Sequence, residues 1–291
     1  MEKKMADTQT TIYGQAYSKN IMQLAQQKYS KLLGAVYLKP NVTGKTFYQD
    51  QIGEWSMETK GGRNVQTPNN DPTLARRMGT MVDYHDNRLL DRGDELRTIS
   101  DPRSSYTIAA GRSLGRKIDD VIVAAMTATA LSGETGSTSV TLGTSRIVAH
   151  TATGLTFAKV TQAKRLLDDE DVEMEDRYFV VSPQGLEDLL NVEEATSSDY
   201  AAVKALVRGE IDTWMGFKWI TSTRLAEVAS NTRSCLAFQK YGLCLAMAAQ
   251  PLVRTDERTD LSYSWQVYYE LNIGAVRLEE ARVVRVDIIE A

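Results

Sequence analysis

The sequence predicts an α+β fold organised around one very long helix. Three observations carry this: a helical apolar face running through residues 101–131, a strict two-residue alternation over 263–273, and an aromatic, extended stretch near residue 50 followed by turn residues with no core of their own. A chain of 291 residues can bury a substantial interior, and 42% hydrophobic with 25% charged residues is globular composition rather than disorder. The net charge of −4 does not mark a nucleic-acid binder.

Residues 13–33 read as an amphipathic helix, because Tyr17, Ile21, Leu24, Ala25, Tyr29 and Leu32 share one helical face. This arm is basic: Lys3, Lys4, Lys19, Lys28 and Lys31 stand against Glu2 and Asp7. Gly34 and Pro40 end it. Phe47, Tyr48, Ile52 and Trp55 then suit a strand, as does the alternation Met78, Thr80, Val82, Tyr84. Between them Gly61-Gly62, Asn64, Pro68, Asn69-Asn70-Asp71 and Pro72 make a polar turn, so the simplest assembly is a long hairpin with a broad tip at 58–75. A two-stranded hairpin is marginal alone in water and must lean on something else.

Asp101-Pro102 supplies an N-cap carboxylate and a first-turn proline for the long helix, whose face carries Leu114, Ile118, Val121, Ile122 and Ala125. Residues 132–145, nearly all Ser, Thr and Gly, read as a flexible connection. Beyond 150 the pattern is mixed: a helix from Phe157 to Leu167, a buried strand at 177–181, helices at 184–190 and 199–207, and apolar elements at 214–221 and 235–246. The alternation of 263–273 stops at Gly274, and Val284, Val286 and Ile288 form a last strand. No internal repeat is visible.

Candidate chemistry is sparse. Gly111-Arg112-Ser113-Leu114-Gly115 matches the G-x-S-x-G elbow of serine hydrolases, but it lies within the helical pattern with no preceding strand. Its general base would have to be His150; the glycines more simply permit close packing of backbone on helix. Asp168-Asp169-Glu170-Asp171, with Glu173, Glu175 and Asp176, lacks the glycine of a calcium loop and reads as a solvated loop. Gly133 to Ser137 lacks the Gly-Lys-Ser/Thr ending of a phosphate cradle. Two cysteines, Cys235 and Cys244, are too few for a disulfide framework or a four-ligand zinc site, and both sit among apolar neighbours as inert thiols. No catalytic residue, cofactor or metal is expected. The start has no apolar signal region, and no run approaches the roughly 18 apolar residues of a membrane span. Synthesis in the cytosol without a membrane partner is therefore expected.

The order of parts is more specific than any motif. Tyr17-Ser18-Lys19-Asn20-Ile21 in the arm, Phe47 to Met57 opening the hairpin, Asp101-Pro102 starting the helix, and the ending Tyr268-Tyr269-Glu270, Gly274-Ala275-Val276-Arg277 and Val283-Val284 resemble the Hong Kong 97-type major capsid protein of tailed bacteriophages over essentially the whole chain. The resemblance implies an N-terminal arm (1–40), an E-loop hairpin (41–97), a peripheral domain with a spine helix (98–150), a mixed α/β axial domain (151–250), and strands returning to the peripheral domain (251–291). It implies hexamers and pentamers of this chain closing an icosahedral shell around double-stranded DNA, assembled in the host cytoplasm and ending in the virion. A separate scaffolding protein is expected, because an arm helix starting near residue 13 leaves no room for a built-in one. A portal protein and decoration proteins are the other expected partners. Lys60 near the loop tip identifies no crosslinking pair. The residues assigned to contacts between subunits are Tyr17, Ile21 and Leu24 of the arm, Phe47, Trp55 and Met57 of the hairpin, and Lys60, Arg63, Arg76 and Arg77. An encapsulin-type bacterial compartment shares the fold and stays open as an alternative, as does a hydrolase using Ser113.

Overall fold

The structure is a computed structural model that describes residues 25–91, 103–191 and 213–290. Tyr17, Ile21, Leu24, the Asp101-Pro102 cap and the helix expected at 199–207 lie outside the described residues.

The long helix, α1 (Arg103–Thr127), is present, with 25 residues and a length of about 37 Å rather than the 45 Å expected. Leu114, Ile118, Ile122, Val123 and Met126 are buried along one side of it, as the 3.6-residue period requires. Its end is fixed by a residue far away in sequence. Arg277, fully buried, donates from Nη1 to the carbonyls of Met126 (2.9 Å) and Ala128 (2.7 Å). A cation there satisfies carbonyls that the last turn cannot and complements the negative end of the helix dipole.

Three sheets surround α1. The first contains β1 (Tyr37–Lys39), β4 (Val82–Leu90), β13 (Leu243–Met247), β14 (Leu252–Arg258) and β15 (Ser264–Arg277). The fourteen residues of β15 pair with β4 and β14 over their first part and with β13 over their last. Gly274 does not stop the strand. It lies within β15 because a Cβ there would stand 2.3 Å from the carbonyl oxygen of Thr80, so only glycine lets that backbone approach.

The second sheet runs β7 (Ile147–Val148), β16 (Val283–Ile289), β12 (Thr232–Gln239), β8 (Arg177–Val181), β10 (Phe217–Thr221) and β9 (Thr213–Trp214), with β11 (Glu227–Ala229) beside β12. The helix α2 (Phe157–Asp168) packs on β16, and α3 (Pro183–Asn191) follows β8. The stretch 251–291 is thus divided: β14 and β15 enter the first sheet, whereas β16 enters the second beside β12. One continuous core joins α1, both sheets and Leu32.

The third sheet is β2 (Thr46–Ile52), β3 (Leu74–Thr80), β5 (Ala130–Ser132) and β6 (Thr138–Val140). Two expectations are corrected here. The second hairpin strand ends at Thr80, and residues 82–90 leave it to pair with β15. The stretch 132–145 is not merely a flexible connection: β5 and β6 form a small hairpin turning at Gly133 and Gly136, both with positive φ, and β5 pairs with β3. This is the support that the long hairpin needs.

The later part of the expected arm helix is corrected as well, residues 13–24 lying outside the described residues. Residues 25–32 are not helical, and only the turn Leu33–Ala35 is wound, as a 3-10 helix. The backbone N–H groups of Lys31 (3.1 Å) and Leu32 (3.2 Å) donate to the carboxylate of Asp119 on α1 instead of to carbonyls of their own segment.

Candidate intersubunit surface

The hairpin β2–β3 pairs in strict antiparallel register from Thr46 opposite Thr80 to Ile52 opposite Leu74, and the Gly53 amide extends the ladder to the Thr73 carbonyl at 2.7 Å. Its two ends have opposite character. At the base, Phe47 is only 3% exposed and packs in a small cluster with Met81, Ala130, Cys244, Ala246, Val276 and Leu278. Its ring lies against Gly79, where a Cβ would come within 2.2 Å of it. Arg77, 8% exposed, donates from Nε to the Leu278 carbonyl at 2.8 Å and pairs through Nη2 with Glu280 at 2.7 Å. Gln51 reaches the same Leu278 carbonyl at 2.9 Å, and the Lys39 ammonium donates to the Tyr48 carbonyl at 2.6 Å.

Beyond Ile52 the chain contributes nothing to its own core. Ile52 and Leu74 face each other across the ladder at 74% and 78% exposure, and Trp55 (71%) and Met57 (96%) follow, with Val65 also exposed. Lys60 and Arg63 stand exposed on the same tip. Large apolar side chains gathered at the end of a firmly based projection are the composition of a contact surface: they favour burial, and a rigid base lowers the cost of ordering them.

The residues assigned to subunit contacts therefore separate. Trp55, Met57, Lys60 and Arg63 lie on the open tip. Phe47 and Arg77 are engaged within the chain, holding the base, because the strand period places them toward Leu278. Arg76 pairs with Asp50 at 2.5 Å and lies 5.5 Å from the Tyr48 ring. This hydrogen bond holds the Asp50 carboxyl below its usual range.

Ser113 lies in the middle of α1, not on a strand-to-helix elbow. It lines a cleft of about 340 Å³ with Tyr84, His85, Asp86, Lys117 and Tyr269, so the histidine nearest it in the fold is His85 rather than His150. Within that cleft the Tyr269 hydroxyl donates to Asp86 at 2.8 Å, and the Lys117 ammonium sits 4.2 Å from the Tyr84 ring centre. The acidic stretch after α2 is a largely exposed loop, as expected, and several of its carboxylates are ion-paired. Asp168 pairs with Arg177 and Glu170 with Arg146, both at 2.5 Å, Asp176 with Lys218 at 2.6 Å, and Glu173 with Arg282. Among the described residues, no three His, Cys, Asp or Glu side chains gather as a metal site. No helix among them is long and apolar enough to cross a membrane.

Two features carry weight that the sequence reading missed. Asp119 and Gly115, one turn apart on α1, receive residues 27–32 of the arm. The signal was available as a carboxylate beside Ile118 and one helical turn past a glycine, but its partner Ser30 is 89 residues away. Arg277 likewise reads as an ordinary strand residue until the end of α1 is placed beside it.

A family model described as phage capsid protein matches residues 9–290. The sequence matches none of the curated proteins with which it was compared. Solved structures match over nearly the full length. The capsid of cyanophage P-SCSP1u aligns with TM-score 0.73 and 17% identity, over 97% of this chain and 94% of that one. The capsid of cyanophage Pam1 aligns with TM-score 0.71 and 14% identity, over 99% of both chains. The capsid of Ralstonia phage GP4 aligns with TM-score 0.73 and 12% identity, over 96% of both. At such identities the likeness is one of fold, and that fold is the Hong Kong 97-type capsid fold.

Proposed function

We infer that this chain, which belongs to the phage capsid protein family, closes its shell by laying the open hairpin tip of each subunit across a neighbour. Family membership makes it a major capsid protein, a structural subunit of the virion shell, and gives no support to the encapsulin-type compartment or the hydrolase. The observation that carries the hairpin reading is the contrast between a base locked by Phe47 and Arg77 and a tip whose Trp55 and Met57 are left in solvent. Apolar groups that one subunit cannot cover are covered in large, obligate interfaces, and rotational symmetry closes such contacts into rings.

In this reading the rings are hexamers and pentamers of an icosahedral head, assembled in the host cytoplasm with a separate scaffolding protein and a portal. α1 and the first sheet form the peripheral unit. The second sheet forms the axial unit, which takes in β16. Packaged DNA is held by bulk contact with basic residues, without base readout. The work of the chain is mechanical, and no catalytic step is assigned to Ser113 or to any other residue.

The test is to replace residues 54–72 by a short Gly-Ser link, leaving β2 and β3 whole. Loop-length costs grow slowly, so the melting curve of the isolated subunit should stay nearly unchanged. Sedimentation of the assembly reaction with the scaffold should lose the shell peak. A shortened chain that still sediments as normal shells would overturn the hairpin reading.

A further inference from the structure

The turn between β15 and β16 holds a carboxylate that touches two arginines with different duties. One oxygen of Glu280 accepts from Nη2 of Arg77 at 2.7 Å, and the other pairs with Nε of Arg277 at 3.3 Å. Arg77 belongs to the hairpin strand β3. Arg277 holds the end of α1 through the Met126 and Ala128 carbonyls and reaches β6 through the Val140 carbonyl at 3.0 Å. The two guanidiniums would repel if the carboxylate between them were removed, so its charge is what lets both occupy this buried place.

We propose that Glu280 is a clasp that couples the set of the hairpin to the end of the long helix. Three features distinguish a clasp from a simple core ion pair. It joins elements that belong to different sheets. Glu280 is itself partly open, a quarter of its side chain exposed, so it can be reached and released by water. Finally, the same Arg77 guanidinium donates to the Leu278 carbonyl at 2.8 Å, so the hairpin is tied to the β15–β16 turn at two points. A load on the hairpin tip is then passed through Arg77 and Glu280 to Arg277 and the last turn of α1. This coupling is a property of the single chain and does not depend on the shell reading.

The test is a distance measurement by pulsed electron resonance on the full chain. Nitroxides are placed at Gly61→Cys on the tip and Ala124→Cys on the exposed side of α1, while the native cysteines stay buried. The intact clasp should give one narrow distribution. Glu280→Gln and Arg77→Met should each broaden it and add a second, displaced population. Because both remove the Arg77–Glu280 link, the double variant should displace the distribution by less than the sum of the two single changes. Gln51→Ala, which loses only a hydrogen bond to the Leu278 carbonyl, should leave the distribution in place. If Glu280→Gln fails to fold, Arg77→Met decides, since it leaves the Arg277–Glu280 pair standing. A folded Arg77→Met or Glu280→Gln chain with an unchanged distribution would overturn the proposal. So would additive changes in the double variant, or the same displacement in Gln51→Ala.

Discussion

Asp119, buried in the middle of α1, accepts the hydroxyl of Ser30 at 2.5 Å. The same carboxylate takes the Gln27 side-chain amide and the backbone N–H groups of Lys31 and Leu32, so one side chain stands in for two helical hydrogen bonds. Asp119→Ala should therefore strand the buried N–H of Leu32 and cost about 2–4 kcal/mol in urea unfolding. Asp119→Asn keeps one acceptor oxygen and should cost less.

The two glycines of α1 should respond in opposite directions. A Cβ at Gly115 would stand 2.9 Å from the Ser30 nitrogen and 3.1 Å from the Tyr29 carbonyl carbon, and backbone cannot step aside cheaply. Gly115→Ala should lose about 1–3 kcal/mol. At Gly111 nothing lies within 4 Å, so Gly111→Ala should gain up to about 1 kcal/mol from helix propensity alone. Paired melting curves check both.

Acid should weaken the link between the loop before β8 and the β15–β16 turn. The Arg282 hydrogen bond holds the Glu173 carboxyl below its ordinary value of 4.5. As pH falls through 4.5 the unfolded chain takes up this proton first, so stability present above that pH is lost on the way down to the lowered folded value. Glu173→Gln should flatten this part of the profile of melting temperature against pH. An equally steep acid limb in the variant would place the effect elsewhere.

Burial pushes the thiol of Cys235 up to about 12 and that of Cys244 up to about 11. Neither forms appreciable thiolate near neutrality. An aromatic disulfide reagent should titrate no thiol in the native subunit at neutral pH and both after denaturation. Reaction of the folded chain would show that the core opens at β12 or β13.

What the sequence revealed was whatever repeats locally. The alternation of Tyr263 to Ile273 needs no partner to be recognised, and the face of Leu114, Ile118 and Ile122 is visible from its spacing alone. What stayed hidden depends on partners distant in the chain. Gly274 looks like a stop until the Thr80 carbonyl is found against it. Residues 25–32 carry a helical pattern, and a single buried carboxylate overrides it. Phe47 and Arg77 resemble their neighbours Trp55 and Arg76, and only the position of Leu278 separates base from tip. The ion pairs of the acidic stretch after α2 stay hidden because Arg146, Lys218 and Arg282 come from elements before and after it.

The base of the hairpin is closed by residues some 200 positions later in the chain. Arg77 bonds to Leu278 across 201 positions, Phe47 packs with Val276 and Leu278, and β4 waits for β15. During synthesis the first third of the protein therefore leaves the ribosome without the surfaces that fix it. Closing so long a loop is slow, and it happens only once the last strands have emerged. A chain that has not yet made β15 thus has a tip with no fixed direction. The order of strands along the chain thus sets when the hairpin can take its direction, and that moment comes with β15 and the turn after it.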